Sequence, residues 1–216
     1  MKYRAVLFDL DGTLLDTIED LTDSMNEALV AHDAPIHEVV DYKKFVGDGI
    51  HALVYRAAPE SLRTEEGLAS LLTAMREAYS RHWDNKTHPY EGVPELLDAL
   101  VERNLRIAVL SNKPHDSAVA CVRKLLPDWD FAAILGARED VPRKPDPVGA
   151  LEIARQLDLD PERFVYCGDT NTDMQTGVAA GMLTVGVAWG FRAADELLKN
   201  GAQAVIERPL DLLGLL

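Results

Sequence analysis

The chain has 216 residues, enough for one ordinary domain or one domain carrying a smaller inserted one. Hydrophobic residues make up 47%, which supports a buried core and excludes a disordered chain. Lys and Arg number 22 against 36 Asp and Glu, a formal net charge of −14, so nucleic acid is excluded as a partner and an anionic substrate would need a metal or a few placed basic groups.

In chain order, the apolar run 4–9 predicts a buried strand that ends abruptly at Asp9, with Asp11 and Gly12 close behind. Residues 16–88 hold no convincing strand. Ile18, Leu21, Met25 and Leu29 recur at helical spacing, and Asp16 followed by Glu19 predicts a capping box at the start of that helix. Two more helices are expected over 49–58 and 65–82, and Pro89 and Gly92 mark a loop where the chain returns. Beyond it, strands near 105–111, 131–136, 163–168, 183–188 and 203–206 alternate with helices near 93–103, 114–126, 147–157, 172–180 and 192–200. That alternation predicts an α/β fold, a parallel sheet with helices on both faces. The expected domains are a core of residues 1–15 and 89–216 and an inserted helical domain of residues 16–88.

No apolar window is long enough for a membrane span. The N-terminus, whose short apolar run is broken at Asp9, does not read as a signal peptide. A cytoplasmic protein without a membrane partner is expected. Cys121 and Cys167 give neither a metal spacing nor a disulfide framework. The histidines are scattered, which argues against a zinc site.

The polar clusters fall where strands end or helices begin. Ser111-Asn112-Lys113 follows the second core strand, Arg143-Lys144-Pro145-Asp146-Pro147 precedes a helix, and Gly168-Asp169 through Asp173 follows the strand ending at Cys167. In an open parallel sheet, ligands bind outside the carboxyl ends of the strands, so these clusters converge with Asp9 and Asp11 on one rim. Asp9, Asp11, Asp169 and Asp173 crowded there cannot all stay ionised without a cation, and Mg²⁺ suits such oxygen ligands. Lys144 and the Ser111 hydroxyl then face an anion, and a backbone turn near Asn112 adds N–H donors. Metal, lysine and donors around carboxylates describe a phosphoryl-transfer site. Asp146 before Pro147 fits an N-cap followed by proline at the first helical position.

The segments "DLDGTLLD", "LSNKP", "RKPDP" and "GDTNTD" resemble, in order, the motifs of the haloacid dehalogenase superfamily. The resemblance implies a modified Rossmann-like core with a helical cap inserted after the first strand. It implies Asp9 as the nucleophile that forms an aspartyl-phosphate, and Asp11 as the acid that protonates the leaving alcohol and then the base that activates water. Ser111 would bond a phosphoryl oxygen. Lys144 would neutralise its charge and steady Asp9. Asp169 would bind Mg²⁺ with the Asp9 side chain and the Asp11 carbonyl, and Asp173 would support the metal waters or Lys144. The second Asp at position 11 points to phosphate esters rather than halides.

Phe45-Val46-Gly47-Asp48-Gly49-Ile50 resembles the cap segment of phosphoglycolate phosphatases, which closes over the site and touches the substrate. Gly47, Asp48 and Gly49 are therefore candidate substrate contacts. The usual residue between the glycines is Asn. Ionised Asp48 cannot donate and would repel a substrate carboxylate, with Lys44, His51 and Arg56 near enough in sequence to offset it. The expected activity is a Mg²⁺-dependent phosphatase of a small phosphorylated metabolite, most like phosphoglycolate phosphatase, acting as a monomer or homodimer. A sugar-phosphate mutase and a non-catalytic ligand-binding regulator are the rival readings.

Overall fold

A computed structural model describes residues 2–216. The chain forms two compact units, one of Met1–Leu15 with Pro89–Leu216 and one of Asp16–His88.

The first unit is built on a six-stranded, fully parallel sheet. Its strands are β1 (Ala5–Phe8), β2 (Arg106–Pro114), β3 (Ala133–Ala137), β4 (Phe164–Gly168), β5 (Leu183–Val187) and β6 (Ala204–Ile206), in the order β3-β2-β1-β4-β5-β6. Every residue of β1 is buried, as a strand covered on both faces requires. Its register is tight on both sides, with Phe8 opposite Val109 of β2 and Cys167 of β4. The winding direction reverses between β1 and β4. Such a reversal opens a crevice at the carboxyl ends of the two strands, which here end next to Asp9 and Asp169.

Alternate residues of the strands fill the layers. Leu7, Leu110, Phe164 and Tyr166 join Ile153 and Leu157 in one buried cluster. Each such side chain contributes about 1.5–3 kcal/mol by leaving water. The helices of this unit are labelled from α5, after four in the other. They are α5 (Val93–Glu102), α6 (His115–Leu125), α7 (Val148–Gln156), α8 (Asn171–Ala180) and α9 (Ala194–Lys199). Strands and helices thus follow the expected alternation, with boundaries moved by a residue or two at most ends. The exception is β2, which runs on through Ser111, Asn112 and Lys113 to Pro114 with a register shift after Leu110. The turn expected at Asn112 is therefore a strand extension, because Pro114 still pairs with Ala137 of β3. Asp146 Oδ1 accepts the Val148 N–H at 2.9 Å, the contact of an N-cap, and Pro147 has helical dihedrals just ahead of the assigned start of α7.

The second unit is helical, with α1 (Ile18–Val30), α2 (Val39–Phe45), α3 (Ile50–Ala57) and α4 (Glu65–His82). Leu21, Met25 and Leu29 of α1 and Leu71, Met75 and Ala78 of α4 are buried at helical spacing. The predicted capping box at Asp16 and Glu19 does not form. Thr17 is the N-cap and makes no side-chain cap, Asp16 accepts the Ile18 N–H at a long 3.4 Å, and Glu19 pairs with distant Lys86. The helix α2 was not expected. It is pinned by Tyr42, whose ring meets Phe45 and His37 edge-on and whose hydroxyl donates to Asn26 Oδ1 at 2.6 Å. Buried Asp20 accepts the Thr87 N–H at 2.8 Å, the Thr87 hydroxyl at 2.7 Å and the Lys86 N–H, joining the beginning of this unit to its end. No helix among the described residues is long and apolar enough to cross a membrane.

Candidate active site

The site grows from the ends of β1, β2 and β4 and from the loop before α7. The Asp9 N–H donates to the Cys167 carbonyl at 2.9 Å, so pairing with β4 continues to the carboxylate itself. Asp9 Oδ1 accepts the Leu10 N–H at 2.7 Å and lies 2.9 Å from Lys144 Nζ. Oδ2 has no protein partner among the described residues. Lys144 Nζ also donates to Asp173 Oδ1 at 2.6 Å.

Asp173 is saturated. Its Oδ1 takes Lys144 and the Tyr166 hydroxyl, and its Oδ2 takes the N–H and hydroxyl of Thr170 in a capping box that opens α8. Asp169 accepts the Thr13 hydroxyl on Oδ1 and the Phe191 N–H on Oδ2, both at 2.9 Å. Two glycines let their loops close on it. A Cβ at Gly12, where φ is +89°, would lie 2.3 Å from Asp169 Oδ2, and one at Gly190 would lie 2.2 Å from Asp169 Cβ.

Asp9, Asp169 and Asp173 are all buried, and each offers an oxygen within 4.8 Å of the others. Against these carboxylates stands the Lys144 ammonium, so full ionisation leaves an excess of negative charge that a metal ion can neutralise. The same crowding moves the groups away from their ordinary ionisation ranges. Burial, then the charge of Asp173, holds Asp9 well above the usual carboxylate range, against the pull of Lys144. Burial and Asp173 push Asp169 up to about 7, while the Phe191 N–H and Thr13 hydroxyl draw it back. Burial alone would deprotonate Lys144, but Asp173 and Asp9 outweigh it and keep the ammonium well above the usual lysine range.

The other sequence candidates are placed as follows. The Asp11 side chain is not in the carboxylate cluster. Its Oδ1 accepts Lys113 Nζ at 2.9 Å. Ser111 is buried, and its Oγ accepts the Lys113 N–H at 3.1 Å. The Asn112 side chain bonds the backbone of Lys144. Its side-chain oxygen accepts the Lys144 N–H at 3.0 Å and its amide donates to the Lys144 carbonyl at 3.2 Å, so that side chain holds the lysine loop. Gly47, Asp48 and Gly49 belong to the helical unit. Both glycines have positive φ, and Asp48 is ion-paired to Arg56, which also donates to the Phe45 carbonyl at 2.9 Å.

The family model for haloacid dehalogenase-like hydrolases matches residues 6–187. The chain belongs to this family. As a haloacid dehalogenase-like hydrolase it is 33% identical over 218 residues to an N-acetylmuramic acid 6-phosphate phosphatase of Pseudomonas aeruginosa, covering 100% of this chain and 96% of that one. It is also 33% identical over 193 residues to a phosphoglycolate phosphatase of Mesorhizobium japonicum, covering 88% and 85% of the two chains. Among solved structures, a Lactobacillus delbrueckii subsp. bulgaricus protein provisionally assigned as a phosphoglycolate phosphatase superimposes with a TM-score of 0.91 at 30% identity, covering 98% and 97%. These relatives of the hydrolase are named as phosphatases of small phosphorylated compounds.

Several residues of this hydrolase's site carried no assignment in the sequence. Lys113 sits inside the motif "LSNKP", and Thr13, Tyr166, Thr170 and Phe191 bond the site's carboxylates from positions that no spacing marks. Two of them left a trace. Lys113 is a cation in what proves to be a buried strand, and Tyr166 puts a polar tip into an apolar run two residues before a strand end.

Proposed function

We propose that the chain is a Mg²⁺-dependent phosphomonoester hydrolase acting through an aspartyl-phosphate on Asp9. The observation that carries this reading is the pairing of Asp9 with Lys144, which leaves Oδ2 of a buried carboxylate without a protein partner beside a cluster able to hold a metal. The oxygen donors, hard and anionic, fit Mg²⁺. When bound, such an ion neutralises charge on the phosphoryl group. Asp9 attacks phosphorus from its unpartnered oxygen, with Lys144 balancing charge on the phosphoryl oxygens. Ser111 donates a hydrogen bond from its hydroxyl to one of them. Asp11 passes a proton to the leaving alcohol and then takes one from the attacking water. Asp173, already saturated, serves to hold Lys144. The helical unit is the cap that selects the substrate, through the Gly47-Asp48-Gly49 turn. Two free, buried cysteines accord with work in the cytoplasm.

For the substrate, phosphoglycolate comes first and N-acetylmuramic acid 6-phosphate second. Both are phosphomonoesters that also carry a carboxylate. The deciding experiment measures phosphate release from these two, from sugar phosphates and nucleoside monophosphates, with and without Mg²⁺. We expect metal-dependent release with a preference for a carboxylate-bearing ester. Release of phosphate from none of them sinks the phosphatase reading, and isomerisation of a hexose phosphate would replace it with the mutase.

Metal binding should be linked to protons. Asp169 sits at about 7 in the folded protein, above its ordinary value, so the metal-free protein loses stability as pH rises through that value. An ion needs the ionised form and must displace a proton below it. Mg²⁺ affinity should therefore fall by about tenfold per pH unit below 7 for each proton displaced, and titration calorimetry in buffers of different ionisation enthalpy should register that proton. An affinity flat from pH 5 to 8 would contradict the assignment of Asp169.

A further inference from the structure

We infer that Lys113 is a positioning residue, which holds the Asp11 carboxylate and the Ser111 hydroxyl in working orientation from one point on β2. The inference rests on the phosphatase reading above, in which Asp11 is both acid and base. Lys113 Nζ donates to Asp11 Oδ1 at 2.9 Å, and the two side chains are 5% and 14% exposed. The N–H of the same residue donates to Ser111 Oγ at 3.1 Å. With one lone pair of that oxygen taken by an N–H, the hydroxyl keeps its own proton to donate to a phosphoryl oxygen.

Both contacts follow from the sheet. Because β2 continues past Leu110, Lys113 is held in a strand rather than in a loose turn. The neighbouring strand also presses close: a Cβ at Gly136 of β3 would lie 2.6 Å from the Lys113 carbonyl. Asp11, by contrast, lies beyond the end of β1. A carboxylate on such a segment has several rotamers open to it, and a general acid has to sit within about 2.6–3.2 Å of the proton it moves. The buried ammonium, anchored in the sheet, selects one of those rotamers. A misplacement of about 1 Å at a reacting group costs on the order of 10²-fold in rate.

The test uses the full-length chain with Mg²⁺ and a series of aryl phosphates graded by leaving-group acidity. Release of the phenol in the first turnover is followed by stopped flow, which isolates the step in which Asp11 acts as acid. Lys113→Met should slow the poorest leaving group on the order of 10- to 100-fold and the best one much less, so the dependence on leaving group steepens. Lys113→Arg should recover most of the loss. In an Asp11→Asn background, Lys113→Met should add nothing, because the lysine acts through that carboxylate. Equal slowing of all esters, a full loss persisting beside Asp11→Asn, or a rise in KM with kcat unchanged would each overturn the inference. The last of these would make Lys113 a reader of substrate. Thermal melts establish that the variants fold. Should the methionine variant fail to fold, Lys113→Gln and Lys113→Arg carry the same comparison. A wild type that turns over no phosphomonoester would overturn the phosphatase reading and this inference together, whereas an active wild type with an unchanged leaving-group dependence would overturn the inference alone.

Discussion

Asp9→Asn should lose turnover by roughly 10⁴- to 10⁶-fold while keeping the fold, the scale seen when a covalent nucleophile is removed. The amide has the shape of the carboxylate. Its oxygen can still accept the Leu10 N–H and Lys144, the partners of Oδ1, but the nitrogen in the place of Oδ2 cannot attack phosphorus. Stability separates this loss from misfolding. Asp9 is buried beside Asp173 and Asp169, and its carboxyl is held above the ordinary range, so folding favours its neutral form. In the metal-free wild type that preference is a source of stability at low pH which is lost as pH rises through the folded value. The amide is neutral at every pH. The variant should therefore melt no lower than the metal-free wild type, with its advantage growing as pH rises. Activity within tenfold of wild type in a purified, folded variant would sink the nucleophile assignment.

Lys144→Met should be costly in both activity and stability. The lysine reaches Asp9 at 2.9 Å and Asp173 at 2.6 Å from a side chain that is 2% exposed. Methionine fills much of the space but leaves buried carboxylates facing each other with no cation. Breaking a buried ion pair from one side typically costs about 3–5 kcal/mol. The sign of the pH dependence is fixed by which groups are stranded. Without the ammonium, Asp9, already held above the ordinary range, rises further, and protonation relieves it. The deficit should thus shrink in acid and widen as pH rises through that folded value. Urea titrations of variant and wild type, without metal, at pH 5 and pH 8 measure it. A deficit that does not depend on pH would mean that lost packing, and not stranded charge, is the cause. Asp173→Asn should reproduce only part of the effect, since an amide with its oxygen in the place of Oδ2 can still accept the Thr170 N–H and hydroxyl.

Much of this arrangement is legible in the sequence because the parallel sheet writes itself in short apolar runs, and the chemistry sits where those runs stop. "AVLF" before Asp9 and "FVYCG" before Asp169 identify both their strands and the rim those strands share. What is not legible depends on partners far along the chain. Glu19 is spaced to cap α1 but pairs instead with Lys86, and no local pattern announces that choice. The helix α2 is short and begins with two valines, a poor helical signal, and it stands because Tyr42 is packed against His37 and bonded to Asn26. The grip of the Asn112 side chain on the backbone of Lys144 is not legible without knowing that the loop before α7 returns to the end of β2. Lys113 escapes for the same reason: its ammonium meets Asp11, 102 residues away in the chain.

The carboxylate of Asp20 has a consequence beyond its own hydrogen bonds. It grips Lys86 and Thr87, so the entry and the exit of the helical unit are fastened side by side. For the core, residues 16–88 are then less like a long floppy excursion than a short bridge whose ends arrive already joined. The entropy of closing a loop, which grows with the length of free chain, falls on the helical unit as it folds rather than on the sheet. A segment with its ends tied in this way can change in length, sequence and recognition surface while the strands that bear Asp9 and Asp169 keep their register. One buried aspartate thus ties the two ends of the inserted unit to each other.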